Sequence, residues 1–321
     1  MKHGLIVGSF MPLHAGHIAL IRFGAAHCDR LHVAVLASEK DPIPGSVRLK
    51  WIQQEFHPYV RITATIVELD QAYVARWKED MGPLAEILVE EYDSFHLLFS
   101  SSNFGETLAS RLGISHVRFD SDKKEHPVSA EEIRKHPFKH WDALASAAKP
   151  YFVKKICFYG PESTGKTTLA QRMATRYQTV FVPEVAREMI TTNAFTEEEI
   201  IRIGQAQTKR LLGGLAKANR LLFCDTDLIT TQIYSSLYLN RVPVELIELE
   251  KEFYYDQYLL FNTDVPWISD GLRDLGSRRQ EVLAMFKENL DRRDIPYTMV
   301  SGSYEERERV VIGVVDRLLQ K

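Results

Sequence analysis

Residues Gly160 to Thr167 read GPESTGKT, which fits the phosphate-loop pattern G-x-x-x-x-G-K-[ST]. The pattern predicts a tight turn whose backbone N–H groups point into one concavity and bind phosphate oxygens. Lys166 supplies a charge for the β- and γ-phosphates, and Thr167 supplies a hydroxyl for Mg²⁺. The predicted phosphate-binding residues of this stretch are Gly160, Glu162, Ser163, Thr164, Gly165, Thr167 and Thr168.

The residues on both sides of this loop fit the context that the pattern requires. Ile156 to Tyr159 is a short apolar run, as in a buried parallel strand, and the residues after Thr168 have helical spacing. Apolar runs alternate with helical segments along the rest of the chain. This rhythm predicts an α/β fold with two parallel-sheet domains, at residues 1–148 and 149–321.

The composition excludes several classes of protein. The chain has 321 residues, 45% hydrophobic and 26% charged, which is typical of an ordinary soluble protein with two cores. Its formal net charge of −3 argues against a nucleic-acid partner. Cys28, Cys157 and Cys224 lie far apart and form no C-x-x-C pair, which fits a reducing cytoplasm. No secretory signal and no apolar run of the ~20 residues that a membrane span needs is visible.

An apolar strand is predicted to end at Asp225, and Asp227 lies two residues further on. A phosphate-loop kinase needs an acidic side chain at a strand end beside the loop, where it organises Mg²⁺. Asp225 is the candidate for this position, and a helix cap is the alternative. Asp227, two residues on, is a candidate for substrate binding or for the cap of the next helix.

The segment Pro183 to Glu188 is predicted to face the phosphate acceptor. Glu184 is a candidate base, since a carboxylate can deprotonate an attacking hydroxyl. Charge complementarity at a helix N-terminus explains Glu184 equally well. Arg187 is a candidate substrate contact. Further along, a glycine- and arginine-rich stretch offers Arg273 and Arg278 as lid residues that neutralise the transferring phosphoryl group, with a solvated turn as the alternative.

The first half of the chain carries a second motif, GSFMPLHAGH, from Gly8 to His17. Six of its residues match G-x-F-x-P-x-H-x-G-H, and in this motif the chain resembles the nucleotidyltransferase superfamily. His14 and His17 near a helix N-terminus can donate hydrogen bonds to a triphosphate and to the transition state at the α-phosphorus. The backbone of Gly8, Ser9 and Phe10 is predicted to approach the nucleotide. We therefore expect an N-terminal Rossmann-like nucleotidyltransferase domain and a C-terminal P-loop kinase domain.

Ser129 to Arg134 resemble a second signature of that superfamily, S-x-T-x-[IV]-R. Ser129 and Arg134 match and are predicted to bind ATP, but Glu131 stands where the signature has threonine. A carboxylate that faced the triphosphate would oppose its binding, whereas an outward side chain would have no such effect.

The two domains in this order resemble the NadR family, through both motifs and through the joining segment VSAEEIRKHPFKHWD. The resemblance implies that the second domain phosphorylates nicotinamide riboside with ATP. The first domain then joins the mononucleotide (NMN) to a second ATP, giving NAD and pyrophosphate. Mg²⁺ serves both sites. Arg48 and Trp51 are candidates to contact NMN, with ordinary core packing as the alternative for Trp51.

Several alternatives remain open at this point. The kinase could work beside a weak transferase, the pair could act on another nucleoside, or the chain could be a nucleotide-sensing regulator. The sequence starts at its first predicted strand, so the resemblance implies a form without an N-terminal helix-turn-helix domain. We expect small-molecule partners, no nucleic acid and a cytoplasmic location, with a homo-oligomer left open.

Overall fold

The structure is a computed structural model, and it describes residues 1–57, 59–74, 79–92, 94–120, 124–190, 195–268 and 275–320. The chain divides into two compact units, Met1–Tyr151 and Phe152–Lys321. Each unit contains a five-stranded sheet whose neighbouring strands run parallel. The predicted α/β class with two parallel sheets is confirmed. The predicted domain boundary between residues 148 and 149 stays a prediction.

The sheet of the first unit has the strand order β3-β2-β1-β4-β5. Its strands are β1 (His3–Gly8), β2 (Arg30–Ala37), β3 (Ile62–Glu68), β4 (Leu97–Ser100) and β5 (Ser115–Arg118). The chain moves outward from β1 in one direction and then returns to the other side of β1. Ligands of open α/β sheets bind where the direction reverses, at the carboxyl ends of the strands.

Helices alternate with the strands of this sheet and continue after its last strand. They are α1 (Ala15–His27), α2 (Gly45–Phe56), α3 (Gln71–Val74), α4 (Gly82–Glu91), α5 (Phe104–Leu112), α6 (Ala130–Lys135) and α7 (Lys149–Phe152), with a 3₁₀ turn at Trp141–Ala143. Gly82 and Pro83 begin α4, because proline fits the first helical turn, where its missing N–H costs nothing.

The sheet of the second unit has the strand order β10-β9-β6-β8-β7. Its strands are β6 (Lys154–Tyr159), β7 (Val180–Val182), β8 (Leu221–Asp225), β9 (Gln257–Phe261) and β10 (Tyr297–Val300). The helices are α8 (Lys166–Arg176), α9 (Ala186–Met189), α10 (Glu197–Leu215), α11 (Leu228–Leu239), α12 (Val244–Lys251), α13 (Arg279–Asp291) and α14 (Tyr304–Gln320), with a 3₁₀ turn at Gly276–Arg278.

The central strand β6 is buried on both faces, as its apolar sequence predicts. Ile156 and Phe158 pack in a cluster with residues of α8 and α14. Cys157 and Tyr159 pack in another cluster with residues of α11 and α13. Two apolar layers therefore hold the strand that leads into the phosphate loop.

Both sequence motifs follow the central strand of their sheet. The His14 motif follows β1 and the phosphate loop follows β6. In the second unit, Asp225 pairs in register with Phe158, two residues before Gly160. Topology thus brings the predicted metal carboxylate next to the loop. None of the described helices has the length and apolar character needed to cross a membrane.

Candidate nucleotide sites

The loop after β1 is shaped by its own side chains. Phe10 has a positive φ of 49° and its ring is buried. His14 is the N-cap of α1, and its Nδ1 accepts a hydrogen bond from the N–H of Gly16 at 3.1 Å. A Cβ on Gly16 would lie 3.0 Å from His14 Cε1 and 3.1 Å from His126 Cβ. Glycine at position 16 therefore leaves room for the imidazole at the start of the helix.

The two predicted catalytic histidines lie side by side. The ring centroids of His14 and His17 are 3.9 Å apart. The rings of Phe10 and His17 meet edge-on, with their centroids 5.0 Å apart. Burial lowers the pKa of His17 well below its ordinary value, His14 lowers it further, and the Pro12 carbonyl acts in the opposite direction. The lowered pKa favours the neutral form of the ring near pH 7.

Part of the acid sensitivity of folding should come from His17. Because its pKa is lowered in the folded chain, the unfolded chain binds a proton there at pH values where the folded ring stays neutral. Stability from this source is complete above about pH 6.5 and falls as pH drops, by at most about 1.4 kcal/mol per pH unit. Denaturant titrations at about pH 7.5 and about pH 5.5 measure the loss.

A His17→Asn variant should lose less stability than the wild type across that interval. His27→Asn, at an exposed imidazole on the same helix, is the matched control and should follow the wild type. Equal losses in His17→Asn and wild type would contradict the assignment.

Arg48 lies in the interior of the first unit, where it has no surface for a substrate. Its side chain is fully buried, and its Nη1 donates to the carbonyls of Ser9 at 2.6 Å and Leu36 at 2.9 Å, while Nη2 pairs with Asp41. Burial lowers the pKa of Arg48, and Asp41 raises it. We correct the expectation of a mononucleotide contact: Arg48 supports the β1–α1 loop from inside the protein.

Trp51 follows the core alternative. It is 4% exposed, and its ring meets Tyr151 edge-on at a centroid distance of 5.5 Å. A buried indole in this position stabilises the unit and presents little surface to a ligand.

The second signature caps a helix and binds the first motif. The Ser129 hydroxyl accepts from the N–H of Glu132 at 3.1 Å as the N-cap of α6. Nη1 of Arg134 donates to the carbonyl of Met11 at 2.6 Å. Further on, the N–H of Ala145 donates to the carbonyl of Leu13 at 3.1 Å. The joining segment therefore supports the histidine loop, which explains why a segment without catalytic residues accompanies the motif.

Glu131 points into solvent. Its side chain is 65% exposed and pairs with Lys135 at 2.7 Å across one helical turn. The hydrogen bond and the charge of Lys135 lower the pKa of Glu131. Glu131 therefore has the outward orientation, in which its carboxylate would not oppose triphosphate binding.

Restoring the signature with Glu131→Thr should therefore change little. We expect the KM for ATP in adenylylation to stay within about twofold of wild type, since exposed pairs contribute less than about 1 kcal/mol. Lys135→Met, which breaks the same ion pair, is the control and should behave alike. Steady-state kinetics measure this, and a gain of about tenfold in Glu131→Thr would contradict it.

The phosphate loop has the backbone that its sequence predicts. Gly160 has φ 133°, Ser163 φ 56° and Gly165 φ 84°. A Cβ on Gly160 would lie 2.9 Å from the carbonyl oxygen of Phe261, so this position requires glycine. The Thr164 hydroxyl donates to the carbonyl of Pro161 at 2.8 Å and is buried.

The remaining loop residues differ in exposure. Lys166 is buried, and its Nζ donates to the carbonyl of Pro161 at 2.7 Å. Burial lowers the pKa of Lys166, whereas Asp225 and Glu184 raise it. Thr168 lies exposed on the first turn of α8. Its phosphate contact stays a prediction.

Thr167 and Asp225 fit a magnesium site. The Thr167 hydroxyl donates to Oδ2 of Asp225, and Oδ1 of Asp225 is buried without a hydrogen-bond partner in the described part of the chain. Burial raises the pKa of Asp225, and Lys166 lowers it. No group of three His, Cys, Asp or Glu ligands occurs among the described residues. Few protein ligands plus substrate phosphates are the usual Mg²⁺ arrangement in kinases.

Asp227 is a helix cap. Its Oδ1 accepts from the N–H of Thr230 at 2.8 Å as the N-cap of α11, and Oδ2 accepts from the Tyr258 hydroxyl at 2.9 Å. Burial raises the pKa of Asp227 to about 6. With 1% exposure it offers no surface to a substrate. The cap alternative holds, and the expectation of a substrate contact is corrected.

A cavity of about 110 Å³ lies beside the phosphate loop, well above the ~10–15 Å³ that one water needs. Its charged lining consists of Glu162, Lys166, Glu184 and Arg187. Glu184 is 18% exposed and accepts from Nε of Arg187 at 2.9 Å. The structure thus brings the predicted base and its arginine neighbour into one cavity with the loop lysine.

Helix α11 and the chain before α10 add hydroxyls and aromatic rings to the cavity. Thr230 and Thr231 contribute hydroxyls, and Tyr234, Tyr238 and Phe195 contribute rings. The Phe195–Tyr238 centroid distance is 5.3 Å, and Tyr234 and Tyr238 are stacked at 6.4 Å. Sequence reasoning missed these residues. The signal was available, because Asp227 marks the start of a helix beside the loop.

The predicted lid arginines are not both placed. Arg273 lies outside the described residues. Arg278 is exposed and pairs with Glu281 at 2.6 Å, one helical turn away. The neighbouring Arg279, which was not among the predicted site residues, contacts the phosphate loop instead: its Nη2 donates to the carbonyl of Ser163 at 3.3 Å.

Two family models match separate parts of the chain. The cytidylyltransferase-like model matches residues 5–136, which include both signatures of the first unit. The AAA domain model matches residues 155–307, which include the phosphate loop and Asp225. Fold and sites together define a two-domain protein that joins a nucleotidyltransferase domain to a P-loop kinase domain.

Curated relatives and solved structures resemble the chain along nearly its whole length. The "Trifunctional NAD biosynthesis/regulator protein NadR" of Escherichia coli K12 is 28% identical over 332 residues, covering 95% of this chain and 80% of the relative. The protein of the same name from Salmonella typhimurium LT2 is 28% identical over 316 residues, covering 89% and 76%. The chain is therefore similar to these NadR proteins over most of its length.

Two crystal structures of NadR proteins share the fold. One, in complex with NAD and AMP-PNP, has a TM-score of 0.81 at 21% identity and covers 100% of this chain and 96% of that chain. The other, in complex with NR, has a TM-score of 0.81 at 22% identity and covers 100% and 97%.

Proposed function

We propose that this chain is a bifunctional enzyme of NAD biosynthesis, a nicotinamide riboside kinase and an NMN adenylyltransferase. The observation that carries the proposal is the pairing of two ATP-type sites in one chain. One has adjacent imidazoles at the start of α1, and the other has a phosphate loop beside a cavity with a carboxylate. The NAD biosynthesis role of the NadR relatives and the NR complex of a solved NadR protein support the choice of substrate.

In the kinase step, the backbone N–H groups of residues 160–167 bind the ATP phosphates and Lys166 balances their charge. The riboside occupies the cavity, with its 5′-hydroxyl directed at the γ-phosphorus. Glu184 accepts the hydroxyl proton as the oxygen attacks. Arg187, paired with Glu184, orients that carboxylate and contacts the substrate. Phe195, Tyr234 and Tyr238 offer rings against which a planar cationic base packs.

In the adenylyl step, the phosphate of NMN attacks the α-phosphorus of ATP and pyrophosphate leaves. His14 and His17 contribute hydrogen bonds to the phosphates, and the N-terminus of α1 adds its positive end. Gly8, Ser9 and Phe10 form the backbone against which the nucleotide lies. The reaction needs alignment and charge stabilisation, without a covalent enzyme intermediate.

Mg²⁺ is a proposed cofactor of both steps, and ATP a co-substrate of both. In the kinase site Thr167 and Asp225 would hold the ion, which neutralises phosphate charge when bound. The cysteines Cys28, Cys157 and Cys224 are free and buried, which supports a reducing, cytoplasmic location.

A single assay tests the assignment. Purified protein with Mg²⁺-ATP and nicotinamide riboside is expected to form NMN first and then NAD, separated by chromatography. A second reaction that starts from NMN tests the transferase alone. If the riboside reaction forms NMN and neither reaction forms NAD, only the kinase activity remains. If the riboside reaction forms no NMN and neither reaction forms NAD, the proposed function is overturned.

A further inference from the structure

Arg307 is a fully buried arginine that contacts the phosphate loop and does not line the cavity beside it. It lies on α14, is 1% exposed, and its Nη1 donates to the carbonyl of Thr164 at 2.8 Å. Its Nε donates to the carbonyl of Gly302 at 2.9 Å, and Nη2 donates to the carbonyl of Asn262 at 3.1 Å and pairs with Asp264. The ion pair compensates the buried charge, so the main remaining effect of the guanidinium is geometric.

Arg279 makes the same kind of contact one residue earlier in the loop. Its Nη2 donates to the carbonyl of Ser163 at 3.3 Å and its Nη1 to the carbonyl of Val265 at 2.8 Å, while the guanidinium lies 5.5 Å from the centre of the Trp267 ring. The N–H of Ile268 donates to the Ser163 hydroxyl at 2.7 Å. Two arginines from different helices thus bind consecutive carbonyls of the loop.

The direction of those carbonyls fixes the direction of the neighbouring N–H groups. In a planar trans peptide, C=O and N–H point to opposite sides. The carbonyl of Ser163 faces Arg279, so the N–H of Thr164 faces away from it. The carbonyl of Thr164 faces Arg307, so the N–H of Gly165 also faces away. Phosphate binding by this motif requires N–H groups on the side opposite the arginines.

The loop holds one residue other than glycine in a left-handed backbone conformation. Ser163 has a left-handed φ of 56°, which a residue with a Cβ adopts at a cost. A peptide rotated the other way would direct a carbonyl oxygen at the phosphates and repel them. Donors that hold the carbonyls outward therefore select the conformation that binds ATP.

We infer that Arg279 and Arg307 are positioning residues of the phosphate loop, acting on ATP through the backbone of residues 163–165. The inference rests on the proposed kinase function of this domain. A residue that only stabilises the fold would change the amount of active protein. Positioning residues should instead change the affinity for ATP in protein that is fully folded.

The test compares Arg307→Met, Arg307→Lys and Arg279→Met with Arg172→Met. Arg172 is the matched control, because it is 58% exposed and joins α8 to α14 through its ion pair with Glu308. AMP-PNP binding is measured by calorimetry, and the phosphate-loop site is identified as the binding lost in Lys166→Ala. Circular dichroism and thermal unfolding confirm that each variant is folded.

We expect the methionine variants to bind AMP-PNP at the phosphate-loop site about tenfold to a hundredfold more weakly, the size expected for lost charged hydrogen bonds. Arg307→Lys should recover part of that loss, and Arg172→Met should match wild type. In kinase assays the KM for ATP should rise, whereas the KM for riboside should stay unchanged.

Folded Arg279→Met and Arg307→Lys with wild-type AMP-PNP affinity would overturn the inference. Arg279 is half-buried, so its methionine variant keeps the test decisive if Arg307→Met does not fold. If wild type binds AMP-PNP but does not phosphorylate the riboside, the proposed function fails while the binding comparison still decides the role of the arginines.

Discussion

Lys166→Ala should abolish most riboside phosphorylation, lowering kcat/KM by about a hundredfold to a thousandfold, while adenylylation of supplied NMN continues at the wild-type rate. Lys166 is a buried cation in the cavity beside the loop, and alanine leaves the phosphates without that charge. Product formation from riboside and from NMN, measured in parallel, gives both values.

The control for this variant is internal, because the N-terminal reaction reports on the folding of the same polypeptide. Lys209→Ala, on α10 and outside the cavity lining, should leave both rates unchanged. Loss of both activities in folded Lys166→Ala would argue against two separate sites.

His17→Ala should produce the opposite pattern. We expect adenylylation of NMN to fall about a hundredfold or more, since the variant removes one of two adjacent imidazoles at the start of α1. Riboside phosphorylation should be unaffected, so NMN should accumulate when riboside is supplied. Chromatography of the full reaction over time measures the accumulation.

His27→Ala on the same helix separates the loss of this particular imidazole from the loss of any imidazole on α1. Normal NAD formation in folded His17→Ala would remove the histidine from the transferase site. A parallel fall in riboside phosphorylation would likewise contradict the assignment of His17 to one reaction.

Local signals in the sequence predicted the framework of the molecule well. Thr196 and Glu199 form the capping box at the start of α10, a pattern that is visible in four consecutive residues. The apolar run before Gly160 predicted β6, and the strand end at Asp225 predicted its place beside the loop. These predictions worked because backbone requirements and apolar periodicity are written in short stretches of sequence.

The sites were harder to predict, since burial depends on distant packing. Arg48 looks like a surface cation in the sequence, but the carbonyls of Ser9 and Leu36 hold it inside the protein. Arg278 and Arg279 are adjacent, and a rotation of one helical position decides which one faces the loop. Sequence spacing alone cannot assign that difference.

Helix α11 shows a second limit. Its sequence LITTQIYSSLYL is rich in β-branched and aromatic residues, which have weak helix propensity. Tertiary packing on the sheet and the Asp227 cap outweigh that preference. The sequence offered this helix only through the cap alternative for Asp227, and the cavity residues on it were missed.

The position of Arg307 has a practical consequence for anyone who engineers this protein. Helix α14 follows the last strand of its sheet, where trimming and fusion are usually attempted. Cutting the polypeptide after β10 would remove the donor that meets the Thr164 carbonyl, although that carbonyl lies 143 positions earlier in the chain. A shortened kinase half would keep every residue of GPESTGKT but lose both this donor and the apolar layer that α14 packs on β6, so it should hold its nucleotide poorly. Fusions are therefore better attached after α14.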